Sequence, residues 1–238
     1  MTGAVVTGIG WVTTDGGGQG RRNPQFSMAD GSLPTLSREV VRLDRHPRYG
    51  RQPEYSRVGV AAIAFALRDA GCEEWVAKRP VGIVAATRLG CLATDVEYYD
   101  TVLPAGGGIA RPNLFAYTLP NCFMGEAAVY FGLTGPMLIA NGGDGDSLCG
   151  WRLAIETLMW GECTTVLAGH LDVPLRPALP GLPAAAPGAV FMVLESGRSA
   201  SASDYGTLDV SGRIIRHNGH AVGNAVGLVR ACLKALVA

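Results

Sequence analysis

Residues 132–162 read GLTGPMLIANGGDGDSLCGWRLAIETLMWGE, and this stretch decides the fold. It predicts a short apolar strand over 137–140, a tight turn over 141–146 and a long helix over 147–160. The turn contains three glycines, which permit the backbone angles of a sharp strand-to-helix elbow. The helix is apolar almost all round, a pattern typical of a helix buried in a large core. The stretch therefore predicts an α/β protein built around a strand–elbow–helix unit.

The order of features in this stretch resembles the nucleophile elbow of the β-ketoacyl synthases. In that family a Gly-Pro pair precedes the strand, and a cysteine followed by small residues precedes the helix. Gly135-Pro136 begins the same pattern here. A count without gaps from this pair puts the family's catalytic cysteine at Asp144. The resemblance implies the scaffold of a condensing enzyme in which Asp144 occupies the nucleophile position, so that no catalytic residue is expected.

Three further segments resemble the same family. Residues 4–12 (AVVTGIGWV) are similar to its first strand, and residues 188–195 (GAVFMVLE) to its G-A-x-x-x-V-L-E segment. Residues 219–223, followed by a helical pattern over 227–236, resemble the glycine-rich turn and helix late in its second half. The resemblance implies a thiolase-like layered α/β fold, consisting mostly of the N-terminal half with a strongly shortened second half.

Composition places the chain among packed globular proteins. It has 238 residues, a formal net charge of zero and a hydrophobic content of 48%, and such a chain is not disordered. We expect residues 1–238 to form a single domain in which 216–238 is a remnant of the second half. Zero net charge provides no field that would favour nucleic acid, and the longest apolar run, 58–67, is half of a membrane span. The start of the chain lacks the basic region of a signal peptide.

The cysteines and glycines indicate neither a metal site nor a dinucleotide site. Six cysteines include no CxxC pair, so we expect buried free thiols in a cytoplasmic protein rather than disulfides or zinc ligands. Gly8-Ile9-Gly10 is not a dinucleotide loop, because residue 13 is threonine and no helix pattern follows. We therefore expect no cofactor and no bound metal.

The remaining elements follow from hydrophobic periodicity and turn residues. Helices are predicted over 55–70, 91–102 and 121–131, and strands over 80–86, 164–169 and 205–215. The polar stretch 14–50 is predicted to be a long surface excursion with a basic end. We interpret its arginines as solvated surface, the alternative being a docking patch for an acidic carrier protein. These arginines are Arg38, Arg42, Arg45, Arg48, Arg51 and Arg57.

A second informative stretch, 112–133, is rich in large apolar side chains. In β-ketoacyl synthases the matching segment lies at the dimer interface and reaches into the partner's acyl tunnel. Carried over by the same gapless count, the positions nearest that tunnel are Leu114, Phe115 and Thr118, and those on the adjoining helix are Cys122, Phe123 and Met124. The alternative is that these side chains fill the chain's own core, because apolar stripes at helical spacing usually do so.

The groups that condensation chemistry needs are largely absent from the sequence. Aspartate is a weak nucleophile and would form a high-energy anhydride with an acyl group. Cys149 cannot replace the missing cysteine, because it lies about 7.5 Å further along the helix. Asp146 or Ser147 is placed to cap that helix. The only histidines are His46, His170, His217 and His220, and no third ligand accompanies His217 and His220 as a metal pair.

Together these features resemble a chain length factor, the ketosynthase-like subunit of type II polyketide synthases that lacks the nucleophile. Short members of that group serve systems that make polyene chains. The resemblance implies a non-catalytic subunit that forms a heterodimer with an active ketosynthase, shapes its acyl tunnel and meets an acyl carrier protein. Two alternatives stay open. One is a degenerate malonyl- or acyl-carrier-protein decarboxylase or hydrolase acting through Asp144 or His220, and the other is a freestanding structural homodimer.

Overall fold

The computed structural model describes residues 3–22, 25–43, 46–142, 146–175, 181–182, 186–197, 199–201 and 204–237. Within these ranges one mixed sheet of nine strands has the order β4-β3-β5-β6-β1-β7-β8-β9, with β2 paired to β1. Strands β3, β4 and β5 run parallel to one another, and the other pairings are antiparallel. The strands are β1 (Ala4–Thr13), β2 (Gly16–Gln19), β3 (Val81–Thr87), β4 (Met137–Asn141), β5 (Thr165–Asp172), β6 (Gly188–Glu195), β7 (Thr207–Ser211), β8 (Ile214–His217) and β9 (His220–Val222).

The part of the chain that the structure describes contains seven α-helices. They are α1 (Arg38–Val41), α2 (Glu54–Asp69), α3 (Leu92–Val102), α4 (Pro112–Phe115), α5 (Cys122–Phe131), α6 (Cys149–Met159) and α7 (Ala225–Val237). Helices α2 and α5 pack in one apolar core, and α6 and α7 pack in a second core on the opposite face. This arrangement confirms the predicted α/β class.

The strand and the helix predicted on either side of the central elbow are present as β4 and α6, whereas residues 143–145 of the turn lie outside the described residues. Helix α6 packs closely on the sheet. Strand β4 leads towards α6, and a Cβ atom on Gly150 would lie 2.1 Å from the carbonyl oxygen of Gly169. Only glycine permits so close an approach between a helix and a strand. Trp151 beside it is fully buried. As expected for its apolar pattern, α6 lies in a large core, but one side of it reaches the surface, where Met159 is 56% exposed and Arg152 is half-buried.

Two other expectations need correction. The stretch 14–50 is not wholly a surface excursion, since Val41, Leu43 and Tyr49 are fully buried against the α2 face of the sheet. The predicted strand 205–215 is a hairpin of β7 and β8 that turns at Gly212, where φ is +58°. Strands β7 to β9 continue the main sheet through the pairing of β7 with β1.

Candidate functional site

A small cavity lies where the parallel strands end and the central helix begins. Ligand sites in sheets of this kind lie outside the carboxyl ends of the strands. The cavity has a volume of about 200 Å³ and is bounded by the end of β5, the start of α6 and the start of α7. The polar and charged residues of its wall are Arg88, Asp146, Ser147, His170, Asp172 and Asn224.

Asp172 is the fixed anion of this cavity. Its side chain is fully buried, and its Oδ1 accepts hydrogen bonds from Thr87 Oγ1 at 2.8 Å and from the Leu89 backbone N–H at 2.9 Å. The Arg88 backbone N–H donates to the same carboxylate at 2.9 Å. Burial would raise the pKa of Asp172, but the hydrogen bond and charge of His170, together with these donors, lower it below its ordinary value. Asp172 is therefore ionised at neutral pH.

His170 forms a dyad with this carboxylate. Its Nε2 lies 2.9 Å from Asp172 Oδ2, and its side chain is 9% exposed. The sequence interpretation overlooked the pair because it ended the strand at Gly169, whereas β5 continues through both residues. The signal was available, since residues two apart in a strand face the same side of the sheet. Here that side is the one covered by α6 and α7.

The two residues expected to cap α6 act differently from the prediction. Asp146 Oδ1 accepts a hydrogen bond from the Leu148 backbone N–H at 3.3 Å, and Asp146 Oδ2 pairs with Arg152 at 2.7 Å. Burial would raise the pKa of Asp146, but the hydrogen bond and charge of Arg152 outweigh it and lower the pKa. Ser147 Oγ instead accepts from the backbone N–H of Ala225 at 3.1 Å and so ties the start of α7 to the elbow.

Asp144 lies outside the described residues, so its position and any chemical role stay predictions. Burial raises the pKa of all six cysteine thiols above the ordinary value, and each of the six is free. Of the thiols expected to be buried, Cys91, Cys163 and Cys232 are buried, whereas Cys72, Cys122 and Cys149 are half-buried. The pKa of Cys149, at the start of α6, is raised in the same way, so this thiol stays protonated at neutral pH. No group in the described part of the chain thus offers the thiolate that condensation needs.

The other histidines lie away from the cavity. His46 is buried and stacks on Tyr130 with ring centroids 4.8 Å apart. His217 Nε2 lies 2.7 Å from the carbonyl oxygen of Tyr205, and His220 is exposed on β9. Among the described residues there is no group of three side chains suited to hold a metal ion.

The segment 112–131 divides into an exposed part and a buried part. Phe115 is 61% exposed, whereas Leu114, Thr118 and Cys122 are half-buried. Phe115 rests against Tyr98, with ring centroids 5.4 Å apart. The large apolar side chains exposed on α3, α5 and the connecting segments around Phe115 are Tyr99, Leu103, Ile109, Leu119 and Val129.

Phe123 and Met124 are fully buried in the chain's own core. The Phe123 ring lies 5.7 Å from that of Tyr55 and 5.9 Å from that of Phe191. A Cβ atom on Gly59 would lie 2.6 Å from this ring, so α2 needs a glycine there. Phe123 and Met124 therefore fill the chain's own core, which is the alternative that the sequence analysis left open. The tunnel assignment of the segment as a whole stays a prediction.

Strand β4 forms the edge of the sheet next to this segment in the sequence. It pairs with β3 in parallel register, with Met137 opposite Ile83 and Leu138 opposite Val84. Met137 is 49% exposed and Leu138 is 44% exposed. Because neighbouring residues of a strand face opposite sides of the sheet, both faces of this edge carry exposed apolar surface.

The basic end of the excursion has local partners. Arg48 lies 3.5 Å from Glu126, and Arg38 donates to the carbonyl oxygen of Pro47 at 2.7 Å. Arg51 is exposed, and Arg45 lies outside the described residues. Whether these arginines meet an acidic partner stays a prediction.

Comparison with known proteins connects this geometry to one family. The family described as β-ketoacyl synthase, N-terminal domain, matches residues 46–230. A polyketide β-ketoacyl synthase of Streptomyces virginiae is 27% identical over 150 residues, which are 58% of this chain and 32% of that protein. The chain thus spans about a third of the length of this curated relative.

Solved structures share the fold. A type II PKS acyl-carrier protein in complex with its ketosynthase matches with a TM-score of 0.65 at 17% identity, over 82% of this chain and 64% of that one. The ishigamide ketosynthase/chain length factor matches with a TM-score of 0.61 at 16% identity, over 83% of this chain and 63% of that one. A ketosynthase in complex with its chain length factor from Xenorhabdus doucetiae matches with a TM-score of 0.55 at 18% identity, over 83% of this chain and 80% of that one. These matches confirm the thiolase-like fold.

In the described residues, no helix is long and apolar enough to span a bilayer.

Proposed function

This chain belongs to the β-ketoacyl synthase family, and on that premise we propose that it is a non-catalytic chain length factor of a type II polyketide synthase. In this role it pairs with an active ketosynthase and shapes the acyl tunnel in which a polyene chain grows on a carrier protein. The observation that carries the proposal is the open edge strand β4, with apolar side chains exposed on both of its faces. The proposal also places the chain in the cytoplasm.

An exposed apolar sheet edge is a surface that proteins normally protect. Natural proteins shield such edges with charged residues, prolines or covering elements, because an open edge pairs with other chains. Strand β4 instead exposes Met137 and Leu138, and Phe115 and Val129 are also exposed on the elements beside it in sequence. Large exposed apolar surface marks an interaction site in a stable protein. A partner sheet aligned along β4 would satisfy its backbone groups and cover these side chains.

Two further observations support a subunit without its own condensation chemistry. The thiols are all held in the protonated form, and His170 is the one histidine among those lining the cavity. The match from Xenorhabdus doucetiae covers 83% of this chain and 80% of that one. That match belongs to a complex of a ketosynthase with its chain length factor, which supports a role for this fold in such a complex.

The alternative of a decarboxylase or hydrolase has no such support. It depends on Asp144, which lies outside the described residues, or on His220. The His220 side chain is exposed, and its Nδ1 lies 3.0 Å from the carbonyl oxygen of Asn218. His220 is also not among the residues that line the cavity.

Light scattering on the purified chain, alone and co-expressed with the ketosynthase encoded beside it, tests the proposal. We expect a stable one-to-one complex, and aggregation or poor yield of the chain alone, because the β4 edge is uncovered without the partner. An obligate interface of this kind buries about 2,000 Å² or more. A soluble homodimer that does not bind the ketosynthase would contradict the proposal and favour the freestanding structural alternative.

Replacing Phe115 with alanine should lengthen or broaden the products without abolishing condensation. The side chain is 61% exposed in the isolated chain and is available to close the end of a partner's tunnel. Product lengths are measured by mass spectrometry on the reconstituted complex. Overall turnover should fall by less than about tenfold, a barrier change of about 1.4 kcal/mol, because the residue contacts no reacting atoms.

Two other alanine variants serve as controls for the product profile of Phe115→Ala. Trp160→Ala removes another exposed aromatic side chain, 71% exposed just after α6, and should leave the product profile unchanged. Phe123→Ala should instead destabilise the chain by about 3–5 kcal/mol, as truncation of a buried phenylalanine does. If the Phe115→Ala complex gives the same products as the unaltered complex, the Phe115 side chain does not line the tunnel.

A further inference from the structure

The exposed segment that carries Phe115 is held to the rest of the chain mainly at its two ends. This segment, residues 92–115, contains α3, α4 and the connection between them, and is called the arm below. Among the arm residues whose burial the structure describes, only Thr94 is buried. An element with so few buried contacts opens locally at a low cost in free energy. The position of the arm therefore depends on how its ends are fixed.

The two helices of the arm are tied to each other. Tyr98 on α3 lies against Phe115 on α4, with ring centroids 5.4 Å apart. Thr101 Oγ1 donates to the carbonyl oxygen of Tyr98 at 2.7 Å and accepts from the backbone N–H of Arg111 at 3.1 Å. Because of these contacts, whatever fixes the start of α3 also fixes the Phe115 ring.

The turn that leads into α3 is held by one buried carboxylate. Asp172 Oδ1 accepts from Thr87 Oγ1 at 2.8 Å and from the Leu89 backbone N–H at 2.9 Å. The Arg88 backbone N–H lies 2.9 Å and 3.2 Å from the two carboxylate oxygens. Thr87 Oγ1 in turn accepts from the Gly90 backbone N–H at 2.7 Å. Asp172 thus holds four consecutive residues, either directly or through Thr87, just before α3 begins.

The far end of the arm is attached to helices of the core. A Cβ atom on Gly90 would lie 3.5 Å from Cβ of Pro120, so the two ends of the arm meet. Tyr55 Oη, on α2, donates to the carbonyl oxygen of Pro120 at 3.1 Å. Tyr117 Oη donates to Glu126 on α5 at 3.0 Å. Since α2 and α5 pack in the same core, this end is anchored independently of Asp172.

We infer that Asp172 is a positioning residue for the arm, and that by holding the turn 87–90 it sets where the Phe115 ring closes the acyl tunnel and how sharply product length is defined. The inference rests on the proposed function, because the tunnel belongs to the complex with the ketosynthase. Asp172 acts here through the turn and α3, and it takes part in no chemical step. A buried carboxylate thereby has a use in a subunit without condensation chemistry of its own.

Two variants loosen this turn from opposite sides. Asp172→Asn replaces one acceptor oxygen with an amide group, and Thr87→Val removes the hydroxyl that links Asp172 to Gly90 while it keeps the size of the side chain. Thr157→Val is the matched control. Thr157 is 5% exposed, as is Thr87, but its hydroxyl donates to the carbonyl oxygen of Leu153 within α6 at 2.9 Å.

Amide hydrogen exchange of each variant is measured by mass spectrometry on the chain in the form in which it purifies, alone or with the ketosynthase. We expect exchange in residues 92–115 to be about tenfold faster in Asp172→Asn and Thr87→Val, as the loss of one or two ordinary hydrogen bonds allows. Exchange in α2 should keep its rate, and Thr157→Val should leave the arm unchanged. On the reconstituted complex, both variants of the turn should broaden the product lengths, as Phe115→Ala does.

Unchanged exchange of the arm in both Asp172→Asn and Thr87→Val would overturn the inference, because the arm would then be fixed elsewhere. An equal rise in α2 would overturn it too, since Asp172 would then only stabilise the chain as a whole. So would a faster arm with unaltered products, where Phe115→Ala alters them. Failure of the complex to form would instead contradict the proposed function, and the exchange rates would still decide whether Asp172 holds the arm.

Discussion

Replacing Asp69 with alanine should lower the free energy of unfolding by about 3–5 kcal/mol, because several buried donors lose their acceptor at once. Asp69 Oδ2 accepts from the Ile9 backbone N–H at 2.9 Å and from Tyr205 Oη at 2.6 Å. Its Oδ1 accepts from the Arg21 backbone N–H at 2.8 Å. One carboxylate at the end of α2 thereby joins β1, the segment after β2 and the residue that leads into the last strands.

The measurement is chemical denaturation of the chain in the form in which it purifies, followed by tryptophan fluorescence. Asp209→Ala is the matched control, because Asp209 is 42% exposed and its nearest cation, on Arg216, is 3.7 Å away. Removing such a surface pair should change the free energy of unfolding by less than about 1 kcal/mol. If both variants unfold at the same denaturant concentration, Asp69 does not tie the C-terminal strands to the rest of the sheet.

Elements with a strong apolar pattern could be predicted from the sequence. The strand 188–195 matches β6 residue for residue, since a buried central strand is an unbroken apolar run and needs no knowledge of its neighbours. The helix 121–131 begins one residue later than predicted, at Cys122. In both cases the local sequence and the final packing favour the same structure.

Strand β2 could not be predicted, because its sequence Gly16–Gln19 (GGGQ) has no strand pattern. The strand exists because Gly10 pairs with Gln19 and Trp11 with Gly18. A Cβ atom on Gly18 would lie 2.5 Å from the Trp11 ring, and one on Gly17 would lie 2.5 Å from the Phe65 ring. These glycines make room for the ring of Trp11 on the neighbouring strand and for the ring of Phe65 on α2, which periodicity does not reveal.

The candidate site depended on the same kind of long-range information. Asp144 was identified by alignment along the chain alone, whereas the His170–Asp172 dyad becomes a site only through the register of the parallel strands. Ala86 pairs with His170, which brings the loop after β3 against Asp172. No local pattern in the sequence specifies which loop donates to that carboxylate.

Replacing Leu138 with glutamate should weaken the complex with the ketosynthase by at least about 100-fold. If the partner covers β4, the new carboxylate is buried without a counterion, which costs several kcal/mol, and each 1.4 kcal/mol is a factor of ten in affinity. The chain itself should keep its stability, because Leu138 is 44% exposed in the isolated subunit. The fraction of complex that survives dilution, measured by mass photometry, reports the change.

Ile214→Glu is the control for this substitution. Ile214 is an apolar strand residue of similar exposure, 49%, and it lies in β8 near the opposite end of the same sheet. The same charge there should leave the complex intact, because only the β4 edge pairs with the partner in the proposed assembly. Loss of the complex from Ile214→Glu but not from Leu138→Glu would move the interface to the β8–β9 end. If the complexes of both variants are as stable as that of the unaltered chain, neither edge of the sheet contacts the partner. The exposed surface around Phe115 would then have to form the interface.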